Sequence, residues 1–83
     1  MDNLELLRAI KDVLVNEYGM KAETISLKLN DSIESLGLDS FGVVQLVYEL
    51  EIKMGIKIDT NSLRDVKYIK DFLELIKKGS VKV

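Results

Sequence analysis

The stretch "LGLDSFGVVQL", Leu36 to Leu46, decides how this chain is read. It sets a serine between an aspartate and a phenylalanine at the point where a loop gives way to a helix. From Asp39 onward the apolar residues Val43, Val44, Leu46, Val47, Leu50 and Met54 recur at helical spacing, and Gly55 is the end signal. The question the stretch raises is why a serine stands at that helix start.

Working outward, Asn3 to Tyr18 carries Leu6, Leu7, Ile10, Val13, Leu14 and Tyr18 at spacings of three and four, the stripe of a helix with one buried face. Asp2 or Asn3 can cap it, and Gly19 can stop it. A third helix is expected from Asp65, with Ile69, Phe72, Leu73 and Ile76 on one face, ending before Gly79. The connection from Gly19 to Leu38 is long for a compact domain. Its apolar residues Ile25, Leu27, Leu29, Ile33, Leu36 and Leu38 are spaced as anchors across the bundle, and "NDSIES" has the composition of a capped helical turn. In "IKIDTNSLRDV", Ile56 and Ile58 alternate before Asp59 or Thr60 caps a brief helix. The fold class expected is all-α: a small bundle of three main helices plus one short one, in a single domain over residues 1–79, with 80–83 as a frayed tail.

The chain has 83 residues, 47% hydrophobic and 31% charged, with a net charge of -2. Those values belong to globular proteins rather than to disordered tails. No apolar run approaches the roughly 20 residues that span a bilayer, and "MDNLELLRAI" lacks the basic start of a signal peptide, so membrane insertion is not expected and a cytoplasmic location is. With no Cys and no His there is no thiolate or imidazole for a metal and no imidazole base. Most small-enzyme readings end there.

Ser40 illustrates the point. A serine nucleophile needs a positioned base and donors for an oxyanion. Its neighbour Asp39 carries a carboxylate, too weak a base to activate an alcohol without an intervening imidazole. Ser40 is therefore not read as a catalyst, and no catalytic residue is assigned. The simplest alternative is that Asp39 or Ser40 caps the helix. Between Lys28 and Lys53 there is no Lys or Arg, while Asp31, Glu34, Asp39, Glu49 and Glu51 are all acidic. An acidic middle of this kind steers basic partners toward Ser40 and disfavours nucleic acid.

The span "LGLDSFGVVQLVYELEIKMGIKID", Leu36 to Asp59, resembles the acyl carrier proteins and related phosphopantetheine-binding carrier domains: a G-x-D-S motif, a helix of V-x-L-x-x-x-L-E spacing and an I-x-I segment. The order of elements along nearly the whole chain is similar too. The resemblance implies that Ser40 is the attachment point of a 4′-phosphopantetheine arm, transferred from coenzyme A by a separate Mg²⁺-dependent phosphopantetheinyl transferase, with Asp39 contacting that transferase. It implies a carrier rather than an enzyme, with acyl cargo held as a thioester and presented to acyl-transfer, ligase or synthase enzymes of fatty-acid, lipid or polyketide biosynthesis.

The resemblance also makes the helix after Ser40 the partner-recognition helix. Three-and-four spacing from Ser40 puts Phe41, Gln45, Tyr48, Glu51 and Ile52 on its outward face. That face is more apolar than is usual in fatty-acid synthesis carriers, so partners offering an apolar groove as well as basic residues are expected. The alternative for Phe41 and Tyr48 is that they fold back onto the long loop as core. "DSFG", Asp39 to Gly42, also resembles the motif of D-alanyl carrier proteins, which leaves an aminoacyl carrier as a second function and an unmodified helical interaction module as a third. A monomer is expected.

Overall fold

The computed structural model describes residues 2–81. Three α-helices carry the fold: α1 (Asn3–Tyr18), α2 (Ser40–Met54) and α3 (Ile69–Lys77). Single 3₁₀ turns lie at Ala22–Thr24 and Ile33–Leu36, and a longer one spans Thr60–Asp65. The architecture is the expected all-α bundle, and the short helix is that last 3₁₀ segment. Among the described residues no helix is long and apolar enough to cross a membrane.

Local chemistry sets the helix boundaries. Asp2 caps α1 by accepting a hydrogen bond from the Glu5 N–H at 2.8 Å. Gly19 and Gly55 end α1 and α2 in the left-handed region, at φ 69° and 66°, which glycine enters without a Cβ clash. Past Gly19, the Met20 N–H closes back on the Leu14 carbonyl at 3.1 Å, satisfying an acceptor that the helix leaves open.

α3 starts at Ile69 rather than at the expected Asp65, because a tertiary pairing intervenes. The Ile33 N–H donates to the Lys67 carbonyl at 2.8 Å, and the Ile69 and Lys70 N–H groups donate to the carbonyls of Asp31 and Leu29 at 2.9 and 3.0 Å. Ser32 and Tyr68 form an antiparallel bridge. Residues committed to that pairing are extended, so helix restarts only beyond them. Asp71 then reaches back to the Tyr68 N–H at 3.1 Å, the N3-to-cap half of a capping box. The same pairing resolves the length of the first connection, whose second half is stitched to the approach to α3. Its turn at Ile33–Leu36 has no side-chain cap. Instead the Ser32 carbonyl accepts from both the N–H and the hydroxyl of Ser35.

Leu6, Ile10 and Leu14 of α1, Leu46, Val47 and Leu50 of α2, and Ile69, Phe72, Leu73 and Ile76 of α3 form the core, closed by Ile33, Leu36, Ile56 and Ile58. Among the described residues no polar or charged side chain is buried. Val43, Met54 and Leu7, expected inside, are half-buried at the edge, and Leu29 is exposed.

The tail expected to fray lies at 80–83, and the described residues reach Val81. Ser80–Val81 (β2) pairs antiparallel with Ile56–Lys57 (β1), Ile56 opposite Val81. The remaining two residues lie outside the described range. Gly79 makes the approach possible, since a Cβ there would stand 2.9 Å from the Ile76 carbonyl oxygen and 3.0 Å from that of Lys57.

Candidate functional site: the start of α2

Leu38 is half-buried against the core and delivers the chain to Asp39, whose extended backbone (φ -81°, ψ -178°) precedes the first helical residue. Asp39 Oδ1 accepts the Gly42 N–H at 2.7 Å, and the Asp39 carbonyl accepts the Val43 N–H at 3.0 Å. Asp39 is thus the cap. Ser40 is the first residue inside the helix, exposed, and its hydroxyl has no hydrogen-bond partner among the described residues. Of the two candidates for capping, only one performs it.

Gly42 is a contributor that the sequence reading did not single out. A Cβ there would come within 3.2 Å of the Leu38 Cβ and 3.3 Å of Asp39 Oδ1, so the cap is close-packed on a residue without a side chain. The Gly42 carbonyl accepts the Tyr18 hydroxyl at 2.8 Å, tying the end of α1 to the first turn of α2. Tyr18→Phe is expected to lower stability by about 1 kcal/mol, the net value of one such bond.

The same tyrosine predicts a pH dependence. Burial first, and the Glu49 carboxylate second, raise the Tyr18 phenol above its ordinary 10.0. The neutral phenol is favoured in the fold, so its stabilising contribution is complete below the unfolded value and is lost as pH climbs from there through the raised folded value. Urea midpoints should therefore fall more steeply above about pH 10 in the parent than in Tyr18→Phe. Equal slopes would remove Tyr18 as the source.

Ser40 opens onto a cleft of about 640 Å³ lined by Ile33, Leu38, Val43, Val44, Leu63 and Val66, with Glu34, Asp39 and Arg64 at its polar margin. The acidic middle is redistributed by the fold. Glu34 and Asp39 reach the cleft, but Arg64, distant in sequence, lines it too. Glu51 is half-buried and its Oε2 accepts the Ile58 N–H at 2.7 Å, so it braces the chain after α2 rather than standing on the outward face where it was expected.

The rest of that face is open. Phe41 is 74% exposed, Tyr48 and Ile52 are each 61% exposed, and Gln45 is exposed as well. Neither aromatic folds back onto the loop. Val44, read from the sequence as part of the helix's apolar set, is exposed between Phe41 and Tyr48 and completes an apolar stripe. Only its three-residue spacing from Phe41 hinted at this.

The geometry, a capped helix start presenting a free serine at an apolar cleft, suits the attachment of a long flexible group. The family described as the phosphopantetheine attachment site matches residues 6–76. The chain belongs to the phosphopantetheine-binding acyl carrier family. It is 33% identical to an acyl carrier protein of Saccharopolyspora erythraea, over 90% of this chain and 78% of that protein. Acyl carrier proteins of Phytoplasma australiense (33%, 89% of this chain and 96% of that one) and Syntrophobacter fumaroxidans (37%, 88% and 93%) are similar over nearly their whole length. The protein is accordingly a carrier and not a catalyst, and its cofactor is 4′-phosphopantetheine. The absence of His and Cys fits that role, because a carrier needs neither its own base nor its own thiol.

Proposed function

We propose that Ser40 bears the arm and that the chain presents acyl thioesters to enzymes of fatty-acid, lipid or polyketide synthesis. The observation that carries this reading is the division of labour at the helix start: Asp39 holds the cap and leaves the Ser40 hydroxyl exposed and unengaged. Ser40 Oγ attacks the β-phosphate of coenzyme A in the active site of a phosphopantetheinyl transferase, forming the new P–O bond as the pyrophosphate link breaks. The nucleotide half leaves with the electron pair, and the serine proton goes to the transferase. Once attached, the arm contributes a terminal thiol that carries the cargo as a thioester.

The chain's own residues present and orient. Asp39 caps the start of α2 at Ser40 and is itself exposed for contact with the transferase. Phe41, Val44, Gln45, Tyr48 and Ile52 form the docking face, fitting partners with an apolar groove. The reading goes with a cytoplasmic monomer that meets coenzyme A and the transferase in the same compartment.

The apolar walls of the cleft favour an acyl cargo. The second reading, an aminoacyl cargo of the D-alanyl type, rests on "DSFG" at Asp39 to Gly42. The test is the intact mass after incubation with coenzyme A, Mg²⁺ and a broad-specificity transferase, followed by fragmentation. A gain of one arm on Ser40 is expected, and no gain by the folded protein would overturn the proposal. Between cargoes, an octanoyl thioester that shifts the Val43 and Leu63 resonances supports the acyl reading. A thioester that leaves them unmoved favours the aminoacyl one.

A further inference from the structure

We propose that Arg64 is a second binding group for the arm, holding its phosphodiester beside Ser40. The inference rests on Ser40 being the attachment point. Three charged residues line the cleft: Glu34, Asp39 and Arg64. A phosphodiester on Ser40 adds a negative charge to a margin that already holds two carboxylates, and Asp39 cannot turn away without giving up the cap at Gly42. The arm's phosphate therefore shares that lining with two carboxylates, whose cost a cation offsets. Arg64 is the cation on that cleft.

Arg64 is also prepared for the task. It lies on the 3₁₀ segment Thr60–Asp65, whose start is fixed by Asp59: the carboxylate accepts from the Asn61 N–H at 3.0 Å and the Ser62 hydroxyl at 3.1 Å. Arg64 Nε donates to the Asn61 carbonyl at 3.3 Å, which holds the base of the guanidinium and leaves its remaining donors open. The ion pairs within 4 Å among the described residues are Lys53 with Asp12 and Lys77 with Glu74, so none of the described carboxylates pairs with Arg64. A planar guanidinium matches two phosphate oxygens at once, which a lysine ammonium does not.

This position shapes function as well as affinity. A phosphate held toward the 3₁₀ segment directs the start of the arm along the cleft between α2 and residues 63–66, over Leu63 and Val66, instead of out into solvent. Releasing Arg64 frees the arm to swing toward a partner. A basic partner residue that takes over the phosphate would accomplish that release.

The chain has two arginines, Arg8 and Arg64, and Arg8 on α1 serves as an internal reference. Arginine-labelled protein is loaded with the transferase, loading is confirmed by intact mass, and the Nε–H signals of the apo and loaded forms are compared. Loading should shift the Arg64 signal and slow its exchange with water about threefold, the size expected of one charge-assisted pair at an exposed site, while Arg8 is unchanged. The arm's phosphorus resonance should move in loaded Arg64→Gln and move partway in Arg64→Lys, with both apo variants melting as the parent does. Loading with an unmoved Arg64 signal, or a phosphorus resonance indifferent to Arg64→Gln, overturns this inference and leaves the attachment standing. Failure to load overturns the attachment and this inference together.

Discussion

Ser40→Ala is expected to abolish loading completely while leaving stability within about 0.5 kcal/mol of the parent, as for other exposed positions without partners. Asp39→Ala is expected to do the reverse in stability: losing the Gly42 N–H acceptor should cost about 1 kcal/mol, a fall of roughly 4–8 °C in melting midpoint for a domain of this size. The two side chains are neighbours in sequence, both are exposed, and both belong to residue types that cap helices. Only geometry separates them, with Asp39 Oδ1 at 2.7 Å from the Gly42 nitrogen and the exposed Ser40 hydroxyl without a hydrogen-bond partner among the described residues. Melting curves of both variants beside their intact masses make the comparison. A Ser40→Ala midpoint as low as that of Asp39→Ala would show the hydroxyl acting as a cap, and the division of labour behind the proposed attachment would fail.

What the sequence discloses here, and what it hides, follows from the range of the interactions involved. α1 and α2 are legible to the residue because their limits are local: Asp2 and Gly19 bound one, Asp39 and Gly55 the other, and each acts within a turn. The start of α3 is hidden because it is decided by Asp31 and Ile33, more than thirty positions upstream, whose backbone groups claim Lys67 and Ile69. The pairing at Ser80 is hidden for the same reason, since its partner is Lys57.

The site divides in the same way. Ser40 and Asp39 are readable as a motif, and the outward direction of Phe41, Tyr48 and Ile52 follows from helical spacing. Glu51 has that spacing too, yet a backbone N–H seven residues later recruits it inward. Arg64 has no signal in the sequence at all, because the run from Lys28 to Lys53 suggests a cation-free neighbourhood that the 3₁₀ segment interrupts only in three dimensions.

The chain's two phenylalanines make the sharpest test of which faces are which. Phe72 on α3 is fully buried, the largest side chain in the core, and Phe41 on α2 is 74% exposed. Phe72→Ala is expected to cost about 3–5 kcal/mol, combining lost transfer energy with the cavity left behind. A domain of this length has a total stability of roughly 4–12 kcal/mol, so that variant should melt more than about 10 °C lower and be partly unfolded at the weaker end of the range. Phe41→Ala removes the same atoms from a surface that water already covers. It should change stability by no more than about 0.5 kcal/mol, leaving its effect to appear in partner engagement instead. Urea unfolding of both variants checks the pair. Similar losses in the two would mean that Phe41 packs against the protein in solution, and the apolar stripe from Phe41 through Val44 and Tyr48 to Ile52 would then be core rather than a docking face. A wide separation would leave this carrier with an apolar recognition helix beside a cleft whose polar margin is only partly acidic. Its partners would then be selected by shape at α2 and by charge at the arm.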